Sequence, residues 1–340
     1  MKKIFTALIQ AAISIALIWW IFRDPDKRSQ MAAALDKASL FWILPGILCG
    51  GAALILQTQR WKILLNAICI DIAWLRCLRL VLVGMFFNLF LLGATGGDVV
   101  KIYYTMREAP QSRAAAFLSI AVDRIIGILA LAIVSAGVVF ARFDTLMSTS
   151  IARGLVATLV LILGGMVGMV IGAWLISIFH LEQRLPARMP MRRTLIDLAE
   201  AVKRYARSPR ALAAALLISI PSHLLLFTCF YFAARAFTDT LGLLDTWSVM
   251  PIVNTITALP ISFGGVGLRE GLFEQLLGVL YHIPKAEAVL ISMTGYLMMV
   301  VWSLVGGVVY LTYRPSDGSS ASLREMSDVT EKIAEHPEAA

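Results

Sequence analysis

Six charged residues stand in stretches otherwise suited to hydrocarbon: Asp98, Lys101, Asp123, Arg124, Arg269 and Glu270. A charge well inside a bilayer costs at least about 2.5–3.5 kcal/mol unless it is paired or hydrated. Asp123 and Arg124 are neighbours in "SIAVDRIIGILALAIVSAG", and adjacent helical residues point roughly 100° apart, so each needs a partner from another element. Lys101 is the candidate for Asp123; Asp98 or Glu270 is the candidate for Arg124. Two readings stand: ion pairs that lock a bundle, or buried cations facing a water-filled cavity. Arg269 falls in the first turn after Gly267, where a guanidinium and a helix N-terminus present positive charge together, an arrangement suited to phosphate. Glu274, one turn after Glu270, shares its face and would line the same cavity.

Other chemistries lack their residues. The four cysteines, Cys49, Cys69, Cys77 and Cys229, form no CxxC pair or Cys/His cluster, so no metal site is expected. His180, His223, His282 and His336 are too scattered for a catalytic cluster, and no Walker motif is present. No enzyme activity and no cofactor are expected. His223, beside Pro221 and Ser222, reads as a packed residue more than a proton relay.

The glycines near these charges define two broken elements. "NLFLLGATGGDVVK" runs from Asn88 to Lys101, and "NTITALPISFGGVGLREG" from Asn254 to Gly271. Each has an Asn, apolar residues, a break, a Gly-Gly pair, and then an acid and a base within five residues. Read together they are an internal repeat. Gly96, Gly97, Gly264, Gly265 and Gly267 form hairpin tips, and Asn88 and Asn254 bond backbone freed at the breaks. Asp98 then opens a returning half-helix, where a carboxylate is favoured by free N–H groups. Transporters build midplane sites from broken helices of this kind.

Composition sets the surroundings. Of 340 residues, 59% are apolar and only 15% charged, with mean hydropathy +0.79. The net charge of +8 lies in short loops between apolar runs, which marks membrane topology and not nucleic acid. About 20 apolar residues cross a core of about 30 Å. Six runs qualify: 4–22, 40–58, 115–140, 154–179, 211–235 and 287–313. The first ends at Trp19, Trp20 and Phe22 without a small-residue cleavage site, and reads as a retained helix. Leu80–Ala94 would span only about 22 Å, and Trp247–Leu268 is interrupted by Pro251, Pro260 and four other breakers. If both are hairpins that return to their own side, twenty basic residues lie inside and far fewer outside.

The expected architecture is therefore an all-α polytopic membrane protein of about six transmembrane helices plus two re-entrant helical hairpins in an inverted repeat. One membrane domain covers 1–313, with both termini cytoplasmic. In the loop 180–210, Leu195, Leu198, Val202 and Tyr205 share a face opposite Arg193, Lys203, Arg204 and Arg207, as in a helix lying on the inner leaflet. Ser208-Pro209 reads as the cap and first turn of the next span. The tail 314–340, rich in Ser, Asp and Glu, reads as disordered.

"GGDVVKIYY", "DRIIG" and "LPISFGGVGLREG", in this order and spacing, resemble the lysylphosphatidylglycerol synthase transmembrane-region family. These are the flippase-like domains of multiple peptide resistance factors and their stand-alone relatives. The resemblance covers about residues 4–313. By it, Gly96, Gly97, Asp98 and Lys101 match the first motif, and Gly265, Gly267, Arg269 and Glu270 the last. Asp123 and Arg124 match an acid–Arg pair that is often Glu-Arg. The resemblance implies a multi-pass inner-membrane protein that moves or handles a lipid. It implies no synthase activity, because the larger relatives carry that in a further soluble domain. On this reading Arg124, Arg269 and Lys101 bind a lipid phosphate, while Asp98, Asp123, Glu270 and Glu274 set the field or exchange ion pairs. A subunit delivering lipid to a partner membrane enzyme, a lipid-modifying enzyme and a homo-oligomer are compatible alternatives. Cysteines introduced at Arg79, Arg113 and Arg193 should all label from one side; labelling of the first two from opposite faces would make the first broken region a full crossing.

Overall fold

The computed structural model describes residues 2–90, 96–109, 113–178, 203, 205, 207–259 and 261–313, and all regular structure among them is helical. Every run expected to cross is a helix. They are α1 (Lys2–Phe22), α3 (Ile43–Ala67), α6 (Arg113–Ala141), α8 (Ser150–Ile178), α9 (Pro209–Arg235) and α12 (Lys285–Thr312). The last five are long and apolar enough to cross a membrane, while the shorter apolar part of α1 is Ala12–Phe22. A peripheral helix α2 (Pro25–Asp36) follows α1, and a short α7 (Phe143–Met147) links α6 to α8. α3 extends well past the apolar run that announced it, ending where Cys69 turns left-handed (φ 62°). α9 begins with Pro209 at its first position, as expected, but Ser208 makes no capping bond. The amphipathic stretch in the loop 180–210 and the tail 314–340 lie outside the described residues, except for Lys203, Tyr205 and Arg207. Lys203 is exposed. Tyr205 is buried and donates to the Leu64 carbonyl at 3.1 Å.

α3, α9 and α12 form the centre, with α9 packed most extensively on α3. Around them stand two antiparallel helical hairpins. The first pairs α4 (Trp74–Phe90) with α5 (Gly96–Glu108). Three contacts fix its register: Arg76 to Glu108 at 2.5 Å, Gly84 against the Lys101 Cβ, and the Gly97 N–H donated to Asn88 Oδ1 at 2.8 Å. The second pairs α10 (Leu243–Thr257) with α11 (Leu268–Tyr281). Ser248 and Tyr281 hydroxyls meet at 2.7 Å near its base, and Gly265 lies against Thr257 near its tip. Arms of 17, 13, 15 and 14 residues reach only about 20–26 Å.

The hairpins stand at opposite ends of α12. Glu108, at the base of the first, accepts from the Tyr313 hydroxyl just after α12 at 2.8 Å. Burial, and then that bond, raise the Tyr313 phenol well above its ordinary range and keep it a donor. Glu274, midway along an arm of the second hairpin, pairs with Lys285 at the start of α12 at 3.7 Å. The second tip reaches Tyr296 and docks on α1, where the Phe263 N–H donates to Ser14 Oγ at 2.7 Å. Its 3₁₀ turn, Phe263–Gly265, needs left-handed backbone at Gly264 (φ 58°), Gly265 (φ 76°) and Gly267 (φ 82°), which only glycine adopts cheaply.

In the first hairpin the need is space. A Cβ on Gly97 would run into the Gly84 carbonyl oxygen. Gly97→Ala should therefore cost about 1–3 kcal/mol of overpacking and visibly lower the Tm in detergent. Gly164→Ala on α8, where a Cβ meets nothing within 4 Å, should not lower it.

Candidate functional site

The charged residues divide between a buried cluster, a half-exposed pair and the second tip. In the cluster, α3 contributes Arg60, α5 Lys101 and α6 Asp123, each 7–8% exposed. Arg60 grips Asp123 with both edges of the fork: Nε to Oδ1 at 2.7 Å and Nη2 to Oδ2 at 3.0 Å. Its Nη1 donates to Ser219 Oγ on α9 at 3.2 Å, and that hydroxyl in turn donates to the Ala215 carbonyl at 2.7 Å. Lys101 Nζ lies 3.7 Å from Asp123 Oδ2 and 3.8 Å from the Trp61 ring centroid. Trp61 is fixed by its own N–H, donated to Ser119 Oγ at 3.3 Å. His223 packs beside the cluster with Nε2 3.0 Å from the Gly127 carbonyl.

One residue on, Arg124 turns the other way, as helical geometry requires. Its Nε and Nη2 donate to the two Asp98 carboxylate oxygens, both at 2.7 Å. Asp98 occupies the first turn of α5, where a cap would sit, yet these bonds direct its carboxylate to α6. Two expected pairings are thus present, Lys101 with Asp123 and Asp98 with Arg124; Glu270 is not the partner of Arg124. The Arg124 side chain is 54% exposed and that of Asp98 19%.

At the second tip Glu270 is an internal cap. Its Oε2 accepts the Gly267 N–H at 2.6 Å and its Oε1 the Ser292 hydroxyl at 3.0 Å. Arg269 donates through Nη2 to the Gly264 carbonyl at 2.9 Å and lies 4.1 Å from the Tyr296 ring centroid. Its Nη1 is buried without a hydrogen-bond partner. Among the described residues Arg269 has no carboxylate partner, and no hydrogen bond or ion pair joins it to Arg124. Glu274 is held by Lys27 of α2 and by Lys285. Gly96 begins α5. Asn88 bonds freed backbone as expected, whereas the Asn254 side chain makes no such bond among the described residues.

Arg60 lies two residues beyond the apolar run 40–58, and Trp61, Leu64 and Leu65 carry the buried face of the helix on to Ala67. That continued periodicity was the available signal.

A bundle of apolar helices flanked by two helical hairpins, with ion pairs held inside its spans, defines a polytopic helical membrane protein. The chain belongs to the lysylphosphatidylglycerol synthase TM region family, whose model matches residues 7–310. It is 22% identical over 344 residues to a UPF0104 membrane protein of Pyrococcus horikoshii, covering 92% of this chain and 98% of the relative. A UPF0104 membrane protein of Methanothermobacter thermautotrophicus is 23% identical over 287 residues, covering 78% and 84% respectively.

Replacing Asp123 by Asn strands two buried cations. Removing one partner of a buried pair costs about 3–5 kcal/mol, so Asp123→Asn should lose most monodisperse protein after mild heating in detergent. Asp123→Glu, which keeps the charge, should retain it.

Proposed function

We propose that the chain moves a phosphate-bearing lipid between the leaflets of the inner membrane, with both termini cytoplasmic. The observation that carries this reading is the exposure of the Arg124–Asp98 pair. Arg124 lies nine residues into the apolar span Ala115–Ala141, about 14 Å along the helix. A guanidinium with half its surface open at that depth is tolerated beside water or a polar headgroup and not beside acyl chains. The pair therefore marks a polar crevice in the wall of the bundle. Translocation requires such a path: the headgroup travels along it while the tails stay in lipid. Membership of a family of lipid-handling membrane domains supports the same reading.

In the proposed arrangement both hairpins dip into the bilayer from opposite faces and return. Arg124 meets the phosphate at the first, exchanging part of its bond to Asp98 for it. Arg269 meets it at the second, where movement of the tip uncovers its buried, unpartnered Nη1. Lys101 and Asp123 stand behind Arg124 and set its field, and Glu270 and Glu274 hold the second tip in place.

Reconstitution in liposomes with labelled phosphatidylglycerol and a leaflet-specific assay tests this. The wild type should equilibrate the label. Arg124→Lys and Arg269→Lys should each lose most of that activity at normal yield, because ammonium cannot reproduce bidentate guanidinium bonding, and Asp98→Asn should lose it because Arg124 then has no carboxylate to exchange for the phosphate. Full activity in all three variants would return these residues to a purely structural role.

A further inference from the structure

The charges around Asp123 do not sum to zero. Asp123 and Asp98 each hold one arginine through two hydrogen bonds, Arg60 for the first and Arg124 for the second. Lys101 is the cation left over. Among the described residues its ammonium donates no hydrogen bond; Asp123 Oδ2 at 3.7 Å and the Trp61 ring at 3.8 Å are its near neighbours. An ammonium has three donors to place, and among the described residues none of them has an acceptor at hydrogen-bond distance. The charged and titratable groups facing it are Arg60 from α3, Cys77 from α4, Asp98 on α5 itself, and Asp123 and Arg124 from α6. Arginine keeps its proton throughout the working range of a protein. Both carboxylates are engaged bidentately, and the Cys77 thiol is directed at the Ile72 carbonyl at 3.6 Å. Among the described charged residues of this cluster, Lys101 is thus the one whose charge can be lost without breaking a two-bonded pair.

We infer that Lys101 is a proton-exchanging site and that lipid movement is coupled to protons through it. The coupling rests on the lipid-moving reading above; the proton exchange does not. In the release step one N–H bond of the ammonium breaks and its proton passes to water in the crevice at Asp98, one turn earlier on α5. A neutral amine remains and no electrons change hands. In the return step the amine takes a proton from water after the crevice has opened to the other side. The mechanical effect follows from the two ionic ties between α5 and α6, Lys101–Asp123 and Asp98–Arg124. Deprotonation removes the first and leaves the second, so the hairpin can swing about Arg124. A phosphate that competes for Arg124 loosens the second tie, so release of the hairpin depends on both proton and lipid.

Two measurements test this. In detergent, the pH dependence of the Trp61 emission, taken as wild type minus Trp61→Phe, should show a one-proton transition across the pH range in which the protein stays folded. The transition should vanish in Lys101→Met and in Lys101→Arg. Absence of the transition, or its survival in Lys101→Met, would overturn the proton site without reference to transport. In liposomes containing trapped pyranine and labelled phosphatidylglycerol, wild type should carry protons together with lipid, and an imposed pH step should change the rate of lipid movement. Lys101→Met should show no proton signal above protein-free vesicles. Lipid movement without a proton signal in the wild type would defeat the coupling and leave the lipid-moving reading intact. A Trp61 transition without any lipid movement would defeat that reading and the coupling, and leave proton exchange intact.

Discussion

A carboxylate that must stay charged inside hydrocarbon constrains much of this molecule. Asp123 is tolerable only because Arg60 reaches it from α3 with two short hydrogen bonds and Lys101 approaches from α5. Satisfying it fixes three elements relative to one another. α6 must present Asp123 toward α3, α3 must continue far enough to bring up Arg60, and α5 must lie close enough to lend Lys101. The close approach of α4 and α5 at Gly84 and Gly97 belongs to the same requirement, because it sets the height of Lys101 on the hairpin. The neighbouring Arg124 then points away from the cluster, which places the second pair at an open surface.

The two hairpins follow one plan with different contents. Both are antiparallel helical pairs fastened to opposite ends of α12, the first at its base and the second midway along an arm. The first sends its charges outward to another helix. The second keeps Glu270 for its own tip, where the spacing Gly267 to Glu270 closes a capping box, and places Arg269 against an aromatic ring. A left-handed glycine turn docked on α1 holds the second tip, whereas side chain to backbone bonding between Asn88 and Gly97 holds the first. Sequence likeness between the hairpins thus extends to the break and the Gly-Gly pair but not to the partners of the charges.

These differences explain which features could be read from the sequence. Span lengths were legible because hydrocarbon thickness imposes them. The Lys101–Asp123 and Asp98–Arg124 pairings were legible because charges in apolar runs need partners and few were on offer. Arg60 is hidden from a hydropathy reading because the apolar run ends at a polar cluster, while the helical face carries on through Trp61, Leu64 and Leu65. The cap formed by Glu270 is implied by its distance from Gly267. The bond from Lys27 to Glu274 joins residues 247 apart in the chain, and nothing local announces a contact of that range.

The separation of Arg60 and Asp123 also bears on how the protein is made. Arg60 precedes its carboxylate by 63 residues. At synthesis rates of about 5–20 residues per second, Arg60 has been made for some 3–13 seconds before Asp123 exists. During that interval the guanidinium lacks its carboxylate. Its place in the last third of α3 offers a refuge, since a long basic side chain there can extend to the headgroup layer while the apolar turns before it hold the helix in the membrane. Final burial of Arg60 is then a late, post-insertion event that awaits α6. The pairing of Arg60 with its counter-ion can therefore be made only after α6 has been synthesised.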